Sequence, residues 1–141
     1  YFEDFKELFD KYNNDPEVGW VVGTCPTSRK DGKEWDREKA FKWQAENSIK
    51  PNVGFWQNNV ELGHLCGLAV DPMGYVLPAL QMCYRVLDGE KPQEIEPVYP
   101  DKAWVLLNQK AATQIGVEFP VEILRSALKI YTDYEGNYEG K

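Results

Sequence analysis

Residues 51–71 read Pro51-Asn-Val-Gly-Phe-Trp-Gln-Asn-Asn-Val-Glu-Leu-Gly-His-Leu-Cys-Gly-Leu-Ala-Val-Asp71. Two short apolar runs, Asn52–Trp56 and Leu65–Val70, stand here between turn-forming residues, and neither alternates apolar with polar. Such runs are strands buried on both faces, the mark of a parallel sheet covered by helices. The flanking sequence repeats the pattern. Upstream, Val18-Gly-Trp-Val-Val-Gly23 predicts a strand, and Asp36 caps a helix over Arg37–Asn47. Downstream, Asp71-Pro72 opens a helix that ends at Asp88-Gly89, with Pro78 expected to kink it or mark a delayed start. Trp104–Leu107 predicts a fourth strand, Asn108 caps Gln109–Ile115, and Pro120 opens a last helix through Ile130. At the start, Phe2, Phe5, Leu8, Phe9 and Tyr12 recur at helical spacing until Asn13–Pro16 stops them. Residues 90–103, rich in proline and acid, read as an extended connection, and the tail 132–141 is expected to fray. The class is α/β, a mostly parallel sheet with helices on both faces.

Composition narrows the function. The chain has 141 residues, 43% hydrophobic and 28% charged, with 23 acids against 16 bases and a net charge of −7. One domain is expected at this length. Neither half is basic and no lysine or arginine run is interleaved with aromatics, so nucleic acid is not an expected partner. No apolar stretch approaches the ~20 residues that span a bilayer. Tyr1–Asp10 reads as an amphipathic helix rather than a signal peptide, which leaves export open. The three cysteines, Cys25, Cys66 and Cys83, lie far apart, and His64 is the single histidine. A zinc site needs about four convergent ligands, and hydrolysis by a Ser-His-Asp or Cys-His couple would rest on His64 alone, so neither is expected. Cys66 and Cys83 read as small buried hydrophobes, with a disulfide as the alternative. Nucleotide, phosphate and hydrolase glycine motifs are missing from the sequence, and no cofactor is expected.

Open α/β sheets bind ligands beyond the carboxyl ends of their strands. Two loops qualify. The first carries Thr24, Cys25 and Pro26, with Thr27 and Ser28 behind them; the second carries Trp56, Gln57 and Asn58, then Asn59. An aromatic face followed by carboxamides suits a small ligand with polar and apolar parts. The bland alternative is a turn in which the amides satisfy backbone groups and Trp56 packs inward. Arg29-Lys30 reads as a solvated pair and His64 as a satisfied structural histidine.

Pro51–Trp56, Gly63–Asp71, Leu87-Asp-Gly-Glu-Lys-Pro92, Leu107-Asn-Gln-Lys-Ala-Ala112 and Ile115-Gly-Val-Glu-Phe-Pro120 follow one another nearly without gaps. Over about residues 3–130 this succession resembles the ABC transporter substrate-binding protein family, in its tryptophan and tyrosine branch. The resemblance implies a type I periplasmic binding fold, two α/β lobes joined by three crossovers and clasping a ligand. It places residues 1–131 in the second half of such a protein, with 132–141 a flexible tail. Val18–Trp56 would belong to the second lobe, and helix 72–88 would cross to pack on the absent first lobe. That lobe would lie in a separate chain, or the chain is a fragment. Thr24, Cys25, Pro26, Trp56, Gln57 and Asn58 would line the cleft. Many members carry an acid where Pro26 stands, a polar or acidic residue at Trp56, a glycine at Val76, and a small residue at His64. These departures leave ligand identity open, with Trp56 suggesting an aromatic amino acid or similar flat solute.

The expected function is non-catalytic binding of a small molecule by an extracytoplasmic solute receptor, periplasmic or extracellular and free or membrane-anchored. Its partners would be the ligand and the membrane permease of an ABC transporter. The alternative is a sensor domain of a membrane signalling protein with the same fold. A small α/β enzyme is the weakest reading, since no acid/base pair is in view.

Overall fold

Three helices begin where a side chain takes over an otherwise orphaned backbone N–H. In the computed structural model, which describes residues 1–23, 25–99 and 103–140, α2 (Arg37–Asn47) starts with the Asp36 carboxylate accepting from the Lys39 N–H at 3.0 Å. Asp71 does the same for α4 (Pro72–Leu87) through the Met73 N–H, and Asn108 for α5 (Gln109–Ile115) through the Ala111 N–H. Gly116 closes α5 in the left-handed conformation, φ 70°. These are the caps the sequence predicts. α4 runs unbroken through Pro78. The N-terminal α1 (Phe2–Asn13) meets α2 and the loop before it through aromatic edges: Phe2 lies 4.2 Å from Trp35, and Phe9 5.6 Å from Trp43, between ring centroids.

The strands β1 (Val21–Val22), β2 (Asn52–Gly54), β3 (Cys66–Val70), β4 (Ala103–Asn108), β5 (Ala127–Tyr131) and β6 (Tyr138–Gly140) form one sheet in chain order. β1, β2 and β3 pair in parallel, as do β4 and β5; β6 is antiparallel on β5. The result is a six-stranded, mostly parallel sheet flanked by helices, the class predicted. β1 to β4 lie where the apolar runs place them, though β1 and β2 are shorter than expected. Because β1 and β2 are parallel, the loops that leave them emerge at the same end of the sheet.

Three local expectations are corrected. The last helix, α6, covers only Val121–Ser126, and Ala127 turns extended at ψ 135° to begin β5. Ile123, Leu124, Ala127 and Leu128 have helical spacing, but β4 offers a strand partner that buries Ala127 and Tyr131. The tail read as frayed carries β6, and buries Tyr134 against Ala45, Leu65, Ala111 and Ala112. The stretch after Trp56, read as a loop, opens with a short helix, α3 (Gln57–Glu61).

By its internal contacts the chain divides into two units, Tyr1–Leu68 with Val105–Lys141, and Ala69–Trp104. The first holds the core, with Val60, Leu106, Leu107, Ala112 and Tyr131 almost wholly buried. The second holds α4 and a 3-10 turn at Pro92–Glu94. α4 buries none of its residues; Met82, Cys83, Val86 and Leu87 on its last turns join Pro92 and Ile95 around an apolar groove of about 400 Å³.

Candidate functional site

The two loops at the carboxyl ends of β1 and β2 wall a cleft of about 550 Å³, lined by Cys25, Pro26, Thr27, Arg37, Phe41, Trp56, Asn58 and Asn59. Local chemistry fixes each wall. Gln44 of α2, fully buried, accepts from the Cys25 N–H at 2.9 Å and donates through Nε2 to the Gly23 carbonyl at 3.1 Å, holding the start of the first loop. In the second wall, Asn59 Oδ1 accepts from the Trp56 N–H at 3.1 Å. Gly54 makes this possible: a Cβ there would lie 2.5 Å from the Asn59 Cβ.

His64 ties the walls together. It is 1% exposed, with Nε2 3.0 Å from the Gly23 carbonyl and Nδ1 3.0 Å from the Asn59 carbonyl. A neutral imidazole donates to one of these carbonyls and turns a lone pair to the other. Burial holds its pKa below the ordinary value of 6.5 against the pull of the two carbonyls. The histidine is thus the structural one that the sequence suggests.

The six predicted site residues divide as follows. Cys25, Pro26, Trp56 and Asn58 come together around the cleft. Trp56 is 71% exposed, so it does not pack inward. Cys25 is buried and its thiol is pushed up to about 12 by desolvation, which leaves it protonated and inert at neutral pH. Gln57 is outside the lining. Thr24 lies outside the described residues. Asn59 combines both readings, since it lines the cleft while its oxygen serves the backbone.

Sequence reasoning missed Arg37 and Phe41. Both come from α2, where they are four apart and so share one helix face. That spacing, directly after a cap, was the available signal. Arg29 and Lys30, on the loop itself, are neutralised by α1: Arg29 Nε lies 3.3 Å from Glu3, and Lys30 pairs with Asp4. The Lys30 ammonium holds the Asp4 carboxyl below its ordinary value. Arg37 has no such partner among the described residues. Nor do the described residues include a cluster of three or more metal-ligating side chains, or a helix long and apolar enough to cross a membrane.

This geometry has parallels among solved structures. One is the ABC domain in complex with L-Trp from Streptococcus pneumoniae, with TM-score 0.60 and 18% identity, covering 89% of this chain and 42% of that one. Another is the ligand-free, open structure of a substrate binding protein with adhesive properties from Clostridium difficile, with TM-score 0.57 and 14% identity over 94% and 41% of the two chains. A conserved domain protein from Vibrio cholerae aligns at TM-score 0.50 and 18% identity, over 67% and 40%. At these identities the likeness concerns the fold, and this chain spans about two fifths of the length of each structure. No curated protein matches the chain. Residues 39–131, which include most of α2, the second wall of the cleft and four of the six strands, match the family described as ABC transporter substrate binding protein. The chain belongs to that family.

Proposed function

We propose that this chain binds a small solute with a flat apolar part in the cleft between the β1 and β2 loops. The solute is then delivered to the membrane permease of an ABC transporter, without chemical change. One observation carries the reading: Trp56, a large aromatic side chain, stands 71% exposed on the rim of a cleft at the carboxyl end of a parallel sheet. There it offers a stacking face whose cover by a ligand gains apolar burial. Family membership and the fold support solute binding. The L-Trp in the Streptococcus pneumoniae structure makes aromatic solutes the first to try.

First contact needs only the cleft, whereas closing over the solute takes a further lobe. The matched structures are more than twice as long as the chain, and α4 leaves Val76, Leu77, Leu80 and Leu87 exposed. We assign that face to a further lobe of the complete receptor, which closes on the ligand by hinge motion. Its compartment would be extracytoplasmic, as for the family. The binding test is calorimetric titration with aromatic amino acids and related flat solutes. Trp56→Ala should weaken any binding found by ~1–3 kcal/mol, the scale of a buried aromatic contact. Equal binding by the variant overturns the reading.

A further inference from the structure

The charge on the cleft lining is one-sided, and that asymmetry bears on the ligand. Arg37 contributes a permanent cation at the first position of α2, and no carboxylate is among the lining residues. The neighbouring Asp36 carboxylate is engaged with the Lys39 N–H. Asn59 adds a second donor. Its amide orientation is set by the Trp56 N–H, which must meet the oxygen, so the other end is the NH₂ group. Asn59 is 1% exposed, and its Nδ2 has no hydrogen-bond partner among the described residues. A buried donor left unpaired is costly, and an acceptor brought within its reach relieves that cost.

We infer that the solute taken by this cleft is a flat molecule carrying an anionic group and no ammonium group, with Arg37 recognising the anion beside Trp56. The inference rests on the cleft being the binding site. The planar guanidinium can grip a carboxylate with two parallel N–H bonds, whereas Arg29 and Lys30 are already engaged with Glu3 and Asp4. An ammonium group entering the same cleft would lose water and find no counter-charge on these walls. The chain's net charge of −7 opposes an anion from afar. Salt screens that repulsion beyond about 8 Å at physiological strength, so the contact with Arg37 decides.

The test uses the 141-residue chain, labelled with nitrogen-15 and titrated in parallel with indole-3-acetate, tryptamine and L-tryptophan. The Trp56 indole N–H resonance, identified by its loss in Trp56→Ala, reports occupancy. Indole-3-acetate should bind at least ~10-fold more tightly than tryptamine, with L-tryptophan no tighter than indole-3-acetate. Arg37→Gln should bring the first ratio close to one, while Arg37→Lys retains part of it. Tighter binding of tryptamine or L-tryptophan, or an unchanged ratio in Arg37→Gln, overturns the assignment of an anion while leaving the cleft as the site. Binding of indole-3-acetate that survives in Trp56→Ala, read there from the backbone amide resonances, or no shift of the Trp56 resonance with any probe, overturns both.

Discussion

α2 and α4 invert the usual relation between apolar content and burial. α2, with five charged residues over Arg37–Asn47 outnumbering its large hydrophobics, buries Ala40, Phe41, Gln44 and Ala45. α4 is longer and nearly all apolar, and it buries nothing. In the unit that contains α4, the single buried residue among those described is Ile95, at 8% exposure. The difference is one of partners. α2 meets Cys25 and the aromatic residues of α1, and Gln44 is drawn inward because two backbone groups of the first loop need it. Amphipathic pattern shows that a helix face is to be covered; the partner that covers it need not be in the same stretch of chain.

The contrast predicts a gradient of mutational cost. The largest effect should come from the sheet core. Leu106 in β4 is 0% exposed, so Leu106→Ala removes buried methyl groups and leaves a cavity, costing ~2–5 kcal/mol by urea denaturation. A loss under ~1 kcal/mol would mean that the core unit is no better packed than α4.

Glycine exchanges sharpen the same comparison. Gly63 has φ +118°, and a Cβ there would lie 2.3 Å from the Ala45 Cβ and 3.0 Å from Tyr134. Gly89, after α4, has φ +101° with nothing within 4 Å. Gly63→Ala therefore combines backbone strain with overpacking, about 2–4 kcal/mol. Gly89→Ala carries the strain alone, ~1–2 kcal/mol. Equal losses in paired denaturation curves would mean that packing around Gly63 relaxes freely.

A smaller effect depends on pH. His64 is the one histidine, and burial lowers its pKa from 6.5 in the folded chain. The unfolded chain therefore takes up the proton first. The stability His64 contributes is complete above pH 6.5 and is lost as pH falls through and below that value, by at most ~1.4 kcal/mol per pH unit. Thermal unfolding at pH 7.5 and 5.5 should show a lower midpoint at pH 5.5. His64→Gln should remove most of that difference; a variant that keeps it assigns the slope to other groups.

What was legible in the sequence follows the range of the causes. Asp36, Asp71, Asn108 and Gly116 act within one helical turn, so their caps could be read directly. The position of the Trp56 loop at the cleft was legible because it leaves the carboxyl end of a strand that reads as parallel. β5 was not, because Ala127 and Leu128 continue the spacing of Ile123 and Leu124, and only pairing with distant β4 selects the strand. Arg37 escaped for a similar reason. As a sequence it is the first residue of a polar helix; only packing of α2 against the first loop brings it to the cleft.

The smallest effect expected is the most direct probe of the comparison. Leu80 sits in the middle of α4 and is 48% exposed, with Val76 and Leu77 a turn before it also exposed. Leu80→Ala shortens a side chain already half in water, and alanine is the better helix former. Loss of partial packing and gain in propensity nearly cancel, so the unfolding midpoint of the chain should move by no more than the equivalent of ~0.5 kcal/mol. Leu106→Ala removes the same atoms from a site with no exposure, so the pair isolates burial from residue type. A loss of 2 kcal/mol or more for Leu80→Ala would show that the α4 face is covered in solution. In that case the apolar residues of α4 already have their partner, and the further lobe assigned to them would have to dock elsewhere.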